Sequence, residues 1–337
     1  MAFRLALDTM GGDYGPGEII PAAIYALKKH HDLELQLVGL EDVIKPRLAQ
    51  LTPELSIRAQ VIHAPEVVAM DEAPSSALRN KKKSSMRVAI EQVKKGQAHA
   101  CVSAGNTGAL MAISRYILKM LPGIDRPAIC TTIPGINNHT HILDLGANVD
   151  SSAEQLFQFA VMGAELTGAV ENIVSPKVGL LNVGTEENKG NDQVKQAAAL
   201  LSNSHLNYIG FVEGNHIYSG YADVIVCDGF VGNIALKASE GVAEFFSHHV
   251  SSEFKKNLYG KLASVVSMPI LKSIRRKTDP RRYDGASLLG LRGIVIKSHG
   301  RADRVSFAHA LEEAMLEVEK NIPARITSKL EALLTRN

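Results

Sequence analysis

One pattern recurs along this chain: a short apolar run stops at a polar, glycine-containing turn, and a helix-like spacing of apolar residues follows. It occurs at residues 5–13, 100–108, 142–148 and 224–233, and most fully where Val178-Gly-Leu-Leu-Asn-Val-Gly184 runs into Thr185-Glu-Glu-Asn-Lys-Gly190. Repeated units of this kind predict an α/β fold, an α/β/α sandwich with a mainly parallel sheet, because parallel neighbours need a long, usually helical, crossover. In such sheets ligands bind outside the carboxyl ends of the strands, where helix N-termini offer unpaired N–H groups to anions. Function is therefore expected at the turns.

The spacing predicts strands over residues 3–7, 33–39, 61–63, 98–103, 128–133, 141–145, 178–183, 209–212 and 224–227. Helices are predicted over residues 19–29, 86–95, 108–121, 153–167, 192–201, 231–249 and 306–321. No fixed-period repeat or long linker divides the 337 residues, so a single α/β catalytic unit over 1–337 is expected, with two lobes still allowed. The texture changes at 253–283, where strand patterns vanish. Phe254, Leu258, Leu262, Val265 and Val266 follow helical spacing, and Pro269 is expected to open a second segment bearing Ile270, Leu271 and Ile274. Lys255, Lys256, Lys261, Lys272, Arg275, Arg276, Lys277, Arg281 and Arg282 make this a basic amphipathic helical hairpin protruding from the unit. It could lie on an anionic membrane surface, receive an acidic protein, or pack as a helical pair in a homodimer.

A formal charge of +2 gives no support for nucleic-acid binding. Cys101, Cys130 and Cys227 lie among apolar neighbours at no metal or disulfide spacing, which fits a reduced, cytoplasmic setting. The N-terminus lacks the pattern of a signal peptide, and the greasy stretch from Leu262 to Leu271 is too short to span a bilayer.

Neither the P-loop sequence nor the dinucleotide G-x-G-x-x-G spacing is present. Ser103-Ala-Gly-Asn-Thr-Gly108 is the better anion candidate: Gly105 lets backbone approach a ligand, and Ser103, Asn106 and Thr107 carry donors. Taken alone, the same residues read more simply as a capped strand-to-helix turn in which Asn106 or Thr107 satisfies the helix. In the turn from Gly184 to Gly190, Lys189, near the Thr185 hydroxyl, could hold an anionic nucleophile or a developing oxyanion; alternatively Glu186, Glu187 and Asn188 form an exposed first helical turn with Lys189 solvated. Asp228 could orient a neighbour, accept a proton or merely cap a helix, while Asn233 offers an uncharged donor to a carbonyl oxygen. His216, His248, His249, His299 and His309 form no metal-binding spacing, and no metal or cofactor is expected.

Six motifs, taken in order, resemble the bacterial phosphate acyltransferases of phospholipid synthesis, the PlsX family. They are Asp8-Thr-Met-Gly-Gly-Asp13, Ser103-Ala-Gly-Asn-Thr-Gly-Ala109, Leu143-Asp-Leu-Gly-Ala-Asn148, the segment from Asn182 to Gly190, Val226-Cys-Asp-Gly-Phe-Val-Gly-Asn233 and the segment from Tyr283 to Gly293. Departures from the family pattern are Thr9 for the common alanine and His216 for the common aspartate, which puts a carboxylate role at 216 in doubt.

The resemblance implies a fold like the isocitrate and isopropylmalate dehydrogenases and phosphotransacetylase. It implies transfer of a long-chain acyl group from acyl carrier protein to inorganic phosphate, the acyl phosphate then passing to a glycerol-3-phosphate acyltransferase. A homodimer associated peripherally with the inner face of the cell membrane is implied as well. Lys189, Asn233 and Asp228 become the expected catalytic residues. Ser103, Gly105, Asn106, Thr107, Asn148, Gly184 and Thr185 are expected to bind phosphate or the acyl group, and Lys255, Lys256, Arg275, Arg276 and Lys277 to meet carrier protein or membrane. Alternatives are a phosphotransacetylase-like enzyme using coenzyme A thioesters, an NAD-dependent hydroxyacid dehydrogenase, and a membrane scaffold for acyl carrier protein without turnover.

Overall fold

The computed structural model of the chain describes residues 2–136 and 138–334, with side chains except at 275–278, 280, 333 and 334. Strand β1 (Phe3–Asp8), helix α1 (Pro16–Lys29) and β2 (Leu33–Gly39) form the first crossover unit, and α2 (Glu41–Leu48) and α3 (Pro53–Ile57) lead to β3 (Ala59–His63). Helices α4 (Pro74–Asn80) and α5 (Ser85–Lys94) precede β4 (Ala100–Ser103), and α6 (Thr107–Leu118) follows it. Next come β5 (Ala128–Pro134), β6 (His139–Leu143), α7 (Ala153–Val170), β7 (Lys177–Leu181), α8 (Asp192–Ser202) and β8 (Asn207–Val212). The chain continues through β9 (Val224–Val226), the long helices α9 (Gly229–Lys255) and α10 (Leu258–Thr278), β10 (Ala286–Leu289), β11 (Ile294–Lys297), α11 (Arg304–Lys320) and α12 (Ile322–Leu334).

The strands form one sheet in the order β3-β2-β1-β4-β11-β10-β5-β6-β9-β7-β8. Most pairings are parallel, as the alternation of strand and helix signals predicts. The antiparallel ones are β11 with β10, β10 with β5, and β5 with β6. Their consequence is directional: β1 to β4 and β11 point one way, whereas β6, β9, β7 and β8 point the other. The carboxyl ends of the strands therefore lie at two opposite edges of the sheet.

Alternating residues bury both faces. Cys101 and Ile142 belong to the apolar core on one side, which α5 and α6 cover. On the other side Ala100 and Val102 pack under α1 and α11, and Leu143 packs under α7, α8 and α12. Polar side chains start several helices. Ser152 and Gln155 form a reciprocal capping box at α7, and Asn191 and Asp303 cap α8 and α11.

At the hairpin the structure corrects the sequence reading. The break falls before Leu258, where Asn257 Oδ1 accepts the Gly260 N–H at 2.7 Å, and Pro269 lies inside a continuous α10 instead of opening a second segment. Pro269 cannot donate to the carbonyl one turn earlier, but a single missing bond leaves the rest of the ladder in place. In α9 the only buried residues are Gly229 and Gly232, Ala235 and Leu236 still pack partly against the core, and the helix leaves the body beyond them. Among the described residues, no helix is long and apolar enough to cross a membrane.

Candidate active site

Three neighbouring strands, β6, β9 and β7, end at the same edge of the sheet. The turn after β6 is organised by Asp144, which is fully buried. Its carboxylate accepts the N–H groups of Ile129 at 2.9 Å, Ala147 at 3.1 Å and Asn148 at 2.7 Å, and the Asn148 side-chain amide at 2.9 Å. Burial pushes this carboxyl up from its ordinary value, and the donors pull against that shift. A set of four donors suits the ionised form, which only accepts.

Asn148 extends the network. Its amide also donates to the Pro127 carbonyl at 2.8 Å, and its own carbonyl accepts the Gly229 N–H at 2.8 Å. Both side-chain N–H donations thus go to protein partners, and Asn148 ties the β6 turn to the start of α9. The sequence reading expects Asn148 to bind substrate; in the structure its side-chain donors are engaged in positioning these two turns.

Helix α9 begins at Asp228, whose Oδ1 accepts the Val231 N–H at 2.9 Å. Gly232 permits close approach, since a Cβ there would collide with the Asp144 carbonyl oxygen. One residue on, the exposed Asn233 packs against Gly146: a Cβ built on Gly146 would lie 3.5 Å from Asn233 Cβ and 3.7 Å from its Oδ1. The positive end of the α9 dipole adds a preference for negative charge beside Asn233. Cys227 is buried, and burial pushes its thiol well up, so it supplies no thiolate nucleophile at neutral pH.

The turn after β7 adds Lys189. Asn182 braces it, accepting the Val183 N–H at 2.9 Å and donating to the Lys189 carbonyl at 3.2 Å. Gly190 follows with φ +89°, a left-handed conformation that glycine adopts without strain. Gly184 is buried beneath the Lys189 stem, at 3.1 Å from Cγ for a hypothetical Cβ. Thr185 and Lys189 are exposed, and among the described residues no ion pair engages Lys189. Lys189, Asn233, Asp228, Asn148, Gly184 and Thr185 thus gather on the ends of adjoining strands.

The turn after β4 lies elsewhere. It projects from the opposite edge, and five strand spacings separate β4 from β9, or ~24 Å across the sheet. Within one chain Ser103 and Lys189 do not grip the same phosphate. The donors of the β4 turn are also committed. Ser103 Oγ donates to Asp8 Oδ2 at 2.7 Å, and Asn106 caps α6 through the Ala109 N–H at 2.9 Å while its amide donates to the Met70 carbonyl at 2.7 Å and the Glu72 carbonyl at 3.0 Å. Gly105 packs beneath, with its N–H on Ser103 Oγ at 3.0 Å, and only Thr107 of this set is exposed.

This second polar centre contains groups that sequence reasoning missed. Asp8 also accepts Ser85 Oγ at 2.6 Å, and the buried Lys297 donates to the Ala104 carbonyl at 3.3 Å. Burial lowers Lys297 to about 8 against the opposing pull of Asp284, Asp8 and Asp13. Asp284 in turn accepts the Ser298 hydroxyl at 2.7 Å and the His299 N–H at 2.9 Å. A lysine ending the apolar run Ile294-Val-Ile-Lys297 was the available signal. The two departures noted in the sequence have structural uses: Thr9 Oγ1 donates to the Val38 carbonyl at 2.7 Å, and His216 Nδ1 accepts the Glu213 N–H at 3.1 Å.

On the hairpin, Lys255 and Lys256 are exposed, with Lys256 Nζ at 3.2 Å from Glu253. Phe245, Phe246, Leu258, Tyr259, Leu262, Val265 and Val266 are exposed nearby. The side chains of Arg275, Arg276 and Lys277 lie outside the described residues.

This architecture is that of a class of α/β enzymes containing phosphotransacetylases and dehydrogenases. The phosphotransacetylase of Streptococcus pyogenes superposes with a TM-score of 0.62 over 94% of each chain at 18% identity. The 4-hydroxythreonine-4-phosphate dehydrogenase of Klebsiella pneumoniae gives 0.53 over 96% of this chain and 100% of its own at 15% identity. At these identities the likeness concerns the fold alone. Residues 3–325 match the family described as fatty acid synthesis protein, and the chain belongs to it. Proteins named phosphate acyltransferase are similar along nearly the whole length: that of Methylococcus capsulatus is 57% identical over 97% of this chain and 96% of its own. That of Hydrogenovibrio crunogenus is 53% identical over 99% of both. With these relatives, the chain is a transferase enzyme.

Proposed function

We propose that the chain moves a long-chain fatty acyl group from the thioester of acyl carrier protein to inorganic phosphate, giving acyl phosphate for phospholipid synthesis. The observation that carries this reading is the identity above 50% with phosphate acyltransferases along nearly the whole chain. The placement of Lys189 and Asn233 on adjoining strand ends supports it.

Phosphate brings its own anionic oxygen and a thioester a good leaving group, so no enzyme nucleophile is needed. In the proposed reaction a phosphate oxygen attacks the thioester carbon, the carbonyl oxygen takes up negative charge, and the C–S bond breaks to leave acyl phosphate and the carrier thiolate. Lys189 holds the phosphate, and the Asn233 amide donates to the oxyanion. Asp144, Asn148 and the cap at Asp228 hold the two turns in register. The acyl phosphate would pass to a glycerol-3-phosphate acyltransferase.

The enzyme is further proposed to act as a homodimer on the cytoplasmic face of the membrane. The hairpin rests its exposed apolar residues on the lipid, and the positive charge of the segment, from Lys255, Lys256, Arg275, Arg276 and Lys277, attracts anionic headgroups. Sedimentation gives the oligomeric state. Pelleting with anionic vesicles should fall when Arg275 and Arg276 are replaced by glutamate, and unchanged pelleting contradicts the electrostatic part. The reaction itself is tested by thiol release from acyl carrier protein thioester, with and without phosphate, against the same acyl group on coenzyme A. Phosphate-dependent release with preference for the carrier protein supports the proposal. Preference for coenzyme A contradicts the assigned donor.

A further inference from the structure

At the opposite end of β6 from the Asp144 turn, two histidines and a glutamate converge. His139 and His141 are two residues apart on the strand, so both side chains project to the same face, the one covered by α7. Glu171, the residue that ends α7, reaches them from above. His139 Nε2 lies 2.6 Å and His141 Nε2 3.4 Å from the same Glu171 oxygen, Oε1. All three candidate ligand atoms fall within 4.8 Å of one another.

We propose that His139 Nε2, His141 Nε2 and Glu171 form a site for a divalent transition-metal ion of the zinc class, separate from the acyl-transfer turns. Tetrahedral zinc with bonds of about 2.0–2.1 Å sets its ligands ~3.3 Å apart. The His141–Glu171 separation of 3.4 Å already meets that spacing, and His139 needs to withdraw by only ~0.7 Å from its 2.6 Å contact.

The state of His141 distinguishes the cluster from an ordinary ion pair. Its side chain is 4% exposed, and Nε2 is buried without a hydrogen-bond partner. The other nitrogen, Nδ1, lies 3.3 Å from Thr132 Oγ1 on the neighbouring strand. An Nδ1–H bonded to Thr132 directs the Nε2 lone pair into the cluster, the tautomer a metal ligand requires. A buried acceptor left without a donor is unfavourable, and a bound cation would satisfy it.

The surroundings favour positive charge. Asp223 and Glu313 act electrostatically on His139, and Glu317 lies buried next along α11 with its Oε1 unpartnered. His139 and Glu171 remain about one-third exposed, at 32% and 30%, which leaves a path for the ion and an open coordination position for water.

The test uses the full chain stripped with a chelator and titrated with Zn²⁺ by calorimetry or equilibrium dialysis. One ion per chain is expected. His139→Ala, at a partly exposed position that leaves the core intact, should weaken binding more than ~100-fold. Thr132→Val keeps every ligand and should weaken it ~10–100-fold through the lost Nδ1 partner. Co²⁺ should give tetrahedral visible absorption in the parent and lose it in His139→Ala. Zinc binding of equal stoichiometry and affinity in all three proteins, or none in the parent, overturns the proposal.

Discussion

Asp144 accepts both the backbone N–H and the side-chain amide of Asn148, at 2.7 and 2.9 Å, and so closes the turn on which α9 rests. Replacing the carboxylate by an amide turns one acceptor into a donor facing other donors. Asp144→Asn should therefore lose about 2–4 kcal/mol of stability, read as a lower urea midpoint at unchanged slope. Its acyl transfer should fall as the β6 and β9 turns lose register.

Two glycines of the same helix should respond in opposite ways. Gly232→Ala drives a methyl group into the Asp144 carbonyl and should cost ~1–3 kcal/mol, whereas a methyl group added at Gly241 meets nothing within 4 Å and Gly241→Ala should stabilise by ~0.4–1 kcal/mol. Thermal unfolding of the two variants measures the contrast directly.

Asp228 is engaged as a helix cap, which separates two roles for it. Asp228→Asn keeps a capping oxygen and should retain stability and turnover within a few-fold, while Asp228→Ala should lose ~1 kcal/mol of stability. A loss of more than ~100-fold in kcat for the asparagine variant, with the fold intact, would instead assign the carboxylate to proton transfer.

Lys297 makes stability depend on pH with a definite sign. Its folded value is about 8 against 10.5 in the unfolded chain, so between those values the unfolded chain holds more protons. The contribution of Lys297 to stability should therefore rise with pH across that window, by roughly 3 kcal/mol in full. Below it both states are protonated and the cost of burying the ammonium is complete. Urea midpoints of the parent, relative to Lys297→Met, should increase from about pH 7 to about pH 9.5. A constant difference contradicts the assignment.

The strands were legible where apolar runs are long and locally bounded: β2 coincides with its predicted span over residues 33–39. The short β10 and β11 were not, because four residues carry little periodic signal and their pairing is decided by partners far away in sequence. The residue content of the turns was readable, but their grouping was not. Which turns share an edge follows from the antiparallel pairings at β10 and β5, and no local pattern announces the direction of a strand. Asp144 and Lys297 were hidden for a related reason: their partners come from separate elements, and burial decides their chemistry. His139 and His141 did leave a trace, a His-x-His at strand spacing, but Glu171 arrives only through the packing of α7 on β6.

In the proposed reaction phosphate attacks the acyl thioester at the joined ends of β6, β9 and β7, with Lys189 holding the nucleophile. Lys189 is exposed, so its removal should leave the fold unchanged. Thiol release from acyl carrier protein thioester, followed at varied phosphate in the parent and in Lys189→Ala, tests this most directly. A fall of ~10²–10³ in kcat/KM for phosphate in a folded variant is the predicted result. Phosphate-dependent turnover near that of the parent would contradict it.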